Sequence, residues 1–310
     1  MKLNSMPNFN IKGGIIPPMI TPMLDDDTLD LEGLARLINH VIDGGVHGVF
    51  ILGTTGESTN LSNKLKHELT QKTCEIVAGR VPVLVGITDT STVESVKLAQ
   101  TASDTGAAAC VAAPPYYYAL SQPELIEYYT DLNQRLPLPL FLYNMPVHTK
   151  TVIEPKTVAE LSKLEGIIGI KDSSANAVYF NKLIHTMKDK SEFTLWVGPE
   201  EIMAEAVMMG AAGGVNGGAN IFPKLYVSLY EAAQSGDLEK VRELHNQVML
   251  ISDSLYTIGK YGSSYLKGVK AALSVLGICN DFMASPLHRF EKSERDQVVK
   301  AVENIKSVLA

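Results

Sequence analysis

The sequence is poor in cysteine and carries no surplus of positive charge. Its three cysteines, Cys74, Cys110 and Cys279, are odd in number and far apart. That excludes a disulfide framework, and without a C-x-x-C pair no cysteine metal or redox motif is read. The seven histidines show no H-E-x-x-H or similar spacing, so no metal site is expected. Lys and Arg number 27 against 34 Asp and Glu, a net charge of -7. With no basic stripe to neutralise phosphates, nucleic acid and anionic membrane are excluded as partners. A small anionic substrate, which needs only a local set of donors, is not. No apolar run is long enough to span a membrane, and the opening MKLNSMPNFN has no apolar core of signal-peptide type. A reduced, cytoplasmic protein is the expectation.

What the chain does have is a repeat. Its 310 residues, 45% hydrophobic and 20% charged, suit one large or two small globular domains. Apolar, β-rich runs recur at 15–21, 48–56, 81–88, 109–117, 138–146, 167–173, 193–199 and 213–219. Helical periodicity fills the gaps, as at 31–45 and at 91–106, the latter opening on a Ser cap and closing on Gly. The runs are nearly continuous in apolar character, as strands covered on both faces are. Eight such runs alternating with helices predict a closed (β/α)8 TIM barrel rather than an open sheet. From about residue 223 only helical patterns remain, so the expected division is a barrel over 1–222 and a C-terminal helical region over 223–310.

In a barrel the C-terminal strand ends meet on one face, where active sites are built. The polar residues expected there are Thr54 and Thr55 in GTTGE, Tyr116 and Tyr117 in PPYYY, Tyr143 in YNMP, Lys171 in GIKD, and Glu200 and Glu201 in GPEE. Lys171 ends an otherwise apolar strand, where an ammonium is costly to bury. Burial that favours the neutral amine turns a lysine into a nucleophile for carbonyls, giving a Schiff base. The plainer reading has Lys171 reaching solvent from a strand end. A tyrosine ending the preceding strand favours the chemical one, since its hydroxyl can carry protons for the carbinolamine. GTTGE also has two readings. Thr54 and Glu57 fit a capping box, yet the turn formers that follow put the helix start nearer Ser62. The Gly-Thr-Thr-Gly turn would then be free to hold a carboxylate. The glycine-rich stretch 210–220 is neither a dinucleotide fingerprint nor a P-loop, and suggests close packing or a ligand against backbone.

Taken in order, GTTGES, PPYYY, YNMP and GIKD resemble the dihydrodipicolinate synthase and N-acetylneuraminate lyase family of Schiff-base-forming barrel enzymes. The resemblance runs from about residue 12 into the C-terminal helices, and Tyr143 and Lys171 lie 28 residues apart, the family's spacing. It implies that Lys171 forms the imine with pyruvate and that Tyr143 is the proton donor and acceptor beside it. Thr54 would hand protons between Tyr143 and a tyrosine from a neighbouring subunit, for which Tyr117 matches by position. Thr55 would bind the carboxylate, and the Val215 carbonyl would lie near the imine. The resemblance further implies a homo-oligomer, a dimer or dimer of dimers, and neither metal nor organic cofactor.

Two departures bear on the second substrate. Members that make the lysine precursor read like Y-N-x-P-x-R-T, with an arginine that grips a carboxylate. Here His148 stands in that place, mostly neutral at pH 7 and with one donor per ring nitrogen. Glu200 and Glu201 match an acidic pair in sugar-acid lyases, able to accept from a polyol but repelling a second carboxylate. Against this, GTTGES is closer to the synthase version. The match to the family's lysine-feedback site is partial: Ser58, Glu94 and Tyr116 fit, whereas Asn63 and Lys66 replace histidines. The reading is a class I aldolase cleaving a 2-keto-3-deoxy sugar acid to pyruvate and an aldehyde. The alternatives are 4-hydroxy-tetrahydrodipicolinate synthase, a 2-keto-3-deoxy acid dehydratase, and a non-catalytic 2-keto-acid-binding relative.

Overall fold

The computed structural model describes residues 12–309. Eight short parallel strands follow one another: β1 (Gly14–Ile15), β2 (Val49–Ile51), β3 (Val83–Gly86), β4 (Ala109–Ala112), β5 (Leu140–Asn144), β6 (Ile167–Asp172), β7 (Thr194–Val197) and β8 (Gly213–Gly214). Each overlaps one of the eight apolar runs. Their order in the sheet is β1-β8-β7-β6-β5-β4-β3-β2. The chain just beyond β1 closes the ring: the Phe50 N–H donates to the Pro17 carbonyl at 3.0 Å and the Met19 N–H to the Phe50 carbonyl at 2.7 Å.

Helices α1 (Leu31–Asp43), α2 (Asn63–Val77), α3 (Thr92–Asp104), α4 (Gln122–Arg135), α5 (Pro155–Leu161), α6 (Ala177–Met187) and α7 (Met203–Met208) connect the strands, and α8 (Pro223–Ser235) follows β8. The result is a (β/α)8 barrel. Helices α9 (Leu238–Leu255), α10 (Ser264–Val275) and α11 (Lys292–Leu309) come after it. Among the described residues no helix is long and apolar enough to cross a membrane.

Strands covered on both faces feed two apolar clusters. Inside the ring Ile16, Phe50, Leu84, Val111, Phe141 and Trp196 interlock, so the barrel interior is a packed core. Outside, the helix layer shares one larger core with the strands, and Val298, Val302 and Ile305 of α11 belong to it. The C-terminal helices thus pack as part of the same body.

Local signals settle where the site turn is free. The Ser62 hydroxyl accepts from the Leu65 N–H at 3.2 Å, so α2 starts after GTTGES and that turn is not a helix cap. Ser91 stands at the start of α3, but its side chain makes no cap bond. Its N–H is instead held by Asp89 Oδ1 at 2.9 Å, an Asx turn that orients the residue away from capping.

Candidate active site

Strands β5 and β6 pair with Tyr143 opposite Lys171 and Asn144 opposite Asp172. Because side chains alternate across a strand, Tyr143 and Lys171 share the inner face and the other two share the outer one. Lys171 is 6% exposed. Its Nζ lies 4.2 Å from the centre of the Tyr143 ring and 5.0 Å from that of Phe50, in the attractive field of both ring faces. It borders a cavity of about 740 Å³ at the top of the barrel.

The turn after β2 brings in the threonines. Thr54 Oγ1 is 3.1 Å from Tyr143 Oη, and Thr55 Oγ1 is 3.2 Å from Tyr265 Oη. Val215 closes the floor next to Lys171. His148 sits on a short helical turn (Pro146–Thr149) after β5 and borders the same cavity. Burial, with the nearby Lys150 charge, holds its pKa below the ordinary 6.5, so the ring is neutral at pH 7.

Glu200 and Glu201 border the same cavity, but their carboxylates are engaged. Glu200 Oε1 accepts from the hydroxyls of Tyr226 and Tyr256, each at 2.6 Å, and Oε2 accepts from the Gly218 N–H at 2.9 Å. Its burial pushes the pKa up to about 7 against the pull of those three donors. Glu201 Oε1 accepts from Ser252 Oγ at 2.6 Å. Of the residues proposed from sequence, the two tyrosines expected from PPYYY are not brought to this cavity: Tyr116 borders a neighbouring one with Thr54, Tyr143 and His148, and Tyr117 borders neither. For Tyr117 the side chain turns outward. It is 79% exposed, its ring edge-on to Tyr118 at 5.1 Å.

Three further residues at the cavity were not foreseen: Tyr256 and Tyr265, which come from beyond the barrel, and Ser173. The two tyrosine rings meet edge to face at 4.8 Å. For Tyr265, as for the Tyr226 that holds Glu200, the only trace in the sequence is indirect, in the glycine-rich stretch. A Cβ on Gly217 would lie 1.6 Å from Tyr265 Oη, and one on Gly218 would lie 1.9 Å from Tyr226 Oη. These glycines make room for hydroxyls. Farther out, Glu94 accepts from Asn63 at 3.1 Å and pairs with Lys97 at 2.8 Å, while Lys66 pairs with Asp89 at 3.4 Å.

The model of the dihydrodipicolinate synthetase family matches residues 11–305. The chain belongs to this family. A dihydrodipicolinate synthase structure from Bacteroides thetaiotaomicron is 59% identical, with a TM-score of 0.93, over 97% of this chain and 99% of that one. YagE, a prophage protein of the family from E. coli K12 solved in complex with pyruvate, is 29% identical with a TM-score of 0.90, over 95% of this chain and 98% of that one. The probable 2-dehydro-3-deoxy-D-pentonate aldolase YjhH of Escherichia coli (strain K12) is 32% identical over 288 residues, 92% of this chain and 94% of that protein. Synthases and aldolases of the dihydrodipicolinate synthetase family are lyases, and so is this chain.

Proposed function

We propose that Lys171 forms an imine with the ketone carbon of a 2-keto-3-deoxy sugar acid and that the chain cleaves it to pyruvate and an aldehyde, or joins them. The amine adds to the carbonyl, the carbinolamine loses water, and Tyr143 manages the protons with Thr54 behind it. Tyr143 then takes the proton of the C4 hydroxyl as the C3–C4 bond breaks. The bonding electrons pass into the imine to give an enamine, which is protonated at C3. Water releases pyruvate and restores the amine. In this reading Thr55 receives the carboxylate, the Val215 carbonyl faces the imine, and Tyr117 of a second copy completes the proton relay.

One observation carries the choice of substrate class. Among the described residues lining the cavity, Lys171 is the only Lys or Arg, while the acidic groups are Glu200 and Glu201, each held by internal donors, and Ser173 and Ser263 add hydroxyls. His148 is neutral there, where an arginine would grip a carboxylate. Such a wall suits an uncharged polyol aldehyde and opposes a second anion. The 59% identity to a protein named dihydrodipicolinate synthase favours a second reading, condensation of pyruvate with aspartate semialdehyde.

The purified protein separates the two. It should release pyruvate from members of a 2-keto-3-deoxy sugar acid series and leave pyruvate unconsumed with aspartate semialdehyde. Efficient consumption with the semialdehyde would overturn the aldolase reading in favour of the synthase. The variant His148→Arg should gain semialdehyde use by at least about tenfold in kcat/KM, the worth of one charged hydrogen bond.

A further inference from the structure

The polar pair on the outer face of β5 and β6 has no part in the chemistry above, yet it lies one residue along from it on both strands. Asn144 and Asp172 are both 0% exposed. The Asn144 Nδ2–H donates to Asp172 Oδ1 at 2.7 Å across a separation of 28 residues, the same separation as Tyr143 and Lys171. YN and KD are therefore two cross-strand pairs, an inner one at the cavity and an outer one behind it.

The pairing of these strands is weak at its other end. Leu140 faces Ile167, whereas Phe141 faces Gly169, so the register shifts where β5 begins. A shift of this kind leaves one residue unpaired and the ladder locally broken. The consequence of a slip is severe, because moving one residue along would turn Lys171 out of the barrel and into the helix layer. The lock lies at the opposite end, past the irregularity. Asp172 is itself held by Ser174, whose N–H donates to Oδ1 at 3.1 Å and whose hydroxyl donates to Oδ2 at 2.9 Å. Asn144 Oδ1 accepts from the Ile153 N–H at 3.0 Å, tying in the segment that follows the His148 turn.

We infer that Asn144 and Asp172 are positioning residues: their hydrogen bond sets the register that puts Tyr143 against Lys171. The inference rests on the imine reading of Lys171. A bond that only satisfied two buried polar groups would affect melting alone. A bond that sets register must also change the rate at which Lys171 reacts.

The test uses two variants of the full chain, N144D and N144D/D172N. The first sets two carboxylates face to face, and the second restores a donor and an acceptor with the direction reversed, giving up only the Ser174 N–H bond that shares Oδ1. The readout is the rate at which pyruvate and borohydride label Lys171 at saturating pyruvate, with the half-saturating pyruvate concentration and the melting temperature beside it. N144D should be labelled at least about tenfold more slowly, the scale set by small misplacements of reacting groups, with half-saturation unchanged. The double variant should recover most of the rate, as coupled partners do. Asn144→Ser, which removes the amide without adding charge, should show the same slowing in a folded protein. Wild-type rates in N144D or Asn144→Ser would overturn the inference, as would a double variant that melts like the wild type but reacts as slowly as N144D. A wild-type chain left unlabelled would overturn the imine reading and this inference with it, whereas a labelled wild type with unaffected variants would overturn the inference alone.

Discussion

Glu200 is a carboxylate shut in with three donors, and its titration is written into the stability of the fold. In the unfolded chain it titrates at the ordinary 4.5, while burial moves it up to about 7 in the folded one. The folded state therefore binds the proton more tightly. The stability this contributes is fully present below 4.5 and is lost as pH rises through about 7. Glu200→Gln cannot titrate. Across that window the melting temperature of the wild type should fall relative to that of Glu200→Gln, and parallel curves would contradict the buried, proton-holding carboxylate. At this scale the sequence was readable where polarity broke a pattern. Lys171 and Tyr143 are conspicuous because each ends an apolar run. Tyr256 and Tyr265 were not, because a tyrosine on a helix or at its end is ordinary core material until the fold shows that its hydroxyl meets Thr55 or Glu200. The internal bonds of Glu200 were hidden for the same reason.

At the scale of elements, the turn after β2 must be held in place, since Leu52 and Glu57 both adopt left-handed backbone, with φ of 58° and 56°. Each such residue costs about 1–3 kcal/mol, which the surroundings must offset. Helix α10 supplies the hold at two points. Tyr265 meets Thr55, and Lys270 forms an ion pair with Glu57 in which both side chains are buried. Lys270 Nζ also donates to the Phe282 carbonyl at 2.6 Å, and Glu57 Oε2 accepts from the Ala284 N–H at 2.9 Å. Removing one member of a buried pair strands the other charge, so Lys270→Met should lose about 3–5 kcal/mol in urea denaturation. Adding Glu57→Gln should recover part of that. A loss below about 1 kcal/mol, the range of exposed pairs, would mean that α10 does not hold the turn. The strands and the start of α2 at Ser62 were legible because period and caps are local signals. The clamp by α10 was not, because it joins residues that only the closed barrel brings together.

For the whole molecule, the repeat of eight apolar runs was enough to read the barrel, since a strand buried on both faces leaves an unbroken apolar stretch. The placing of Tyr117 was not readable in this way, and it remains outside the cavity of its own chain. If a second copy supplies it, Tyr117→Phe should lower kcat by about a hundredfold, the worth of a proton-transfer group, and leave labelling of Lys171 by pyruvate in place. Mixing that variant with Lys171→Ala under conditions of subunit exchange should restore turnover, and no recovery in a mixed oligomer would count against a shared tyrosine. The imine itself has the most direct test. The intact protein is treated with pyruvate and borohydride, then digested and mapped by mass spectrometry. A reduced pyruvate adduct on Lys171, absent from a folded Lys171→Ala variant, is the predicted result. No adduct, or one on another lysine, would contradict it.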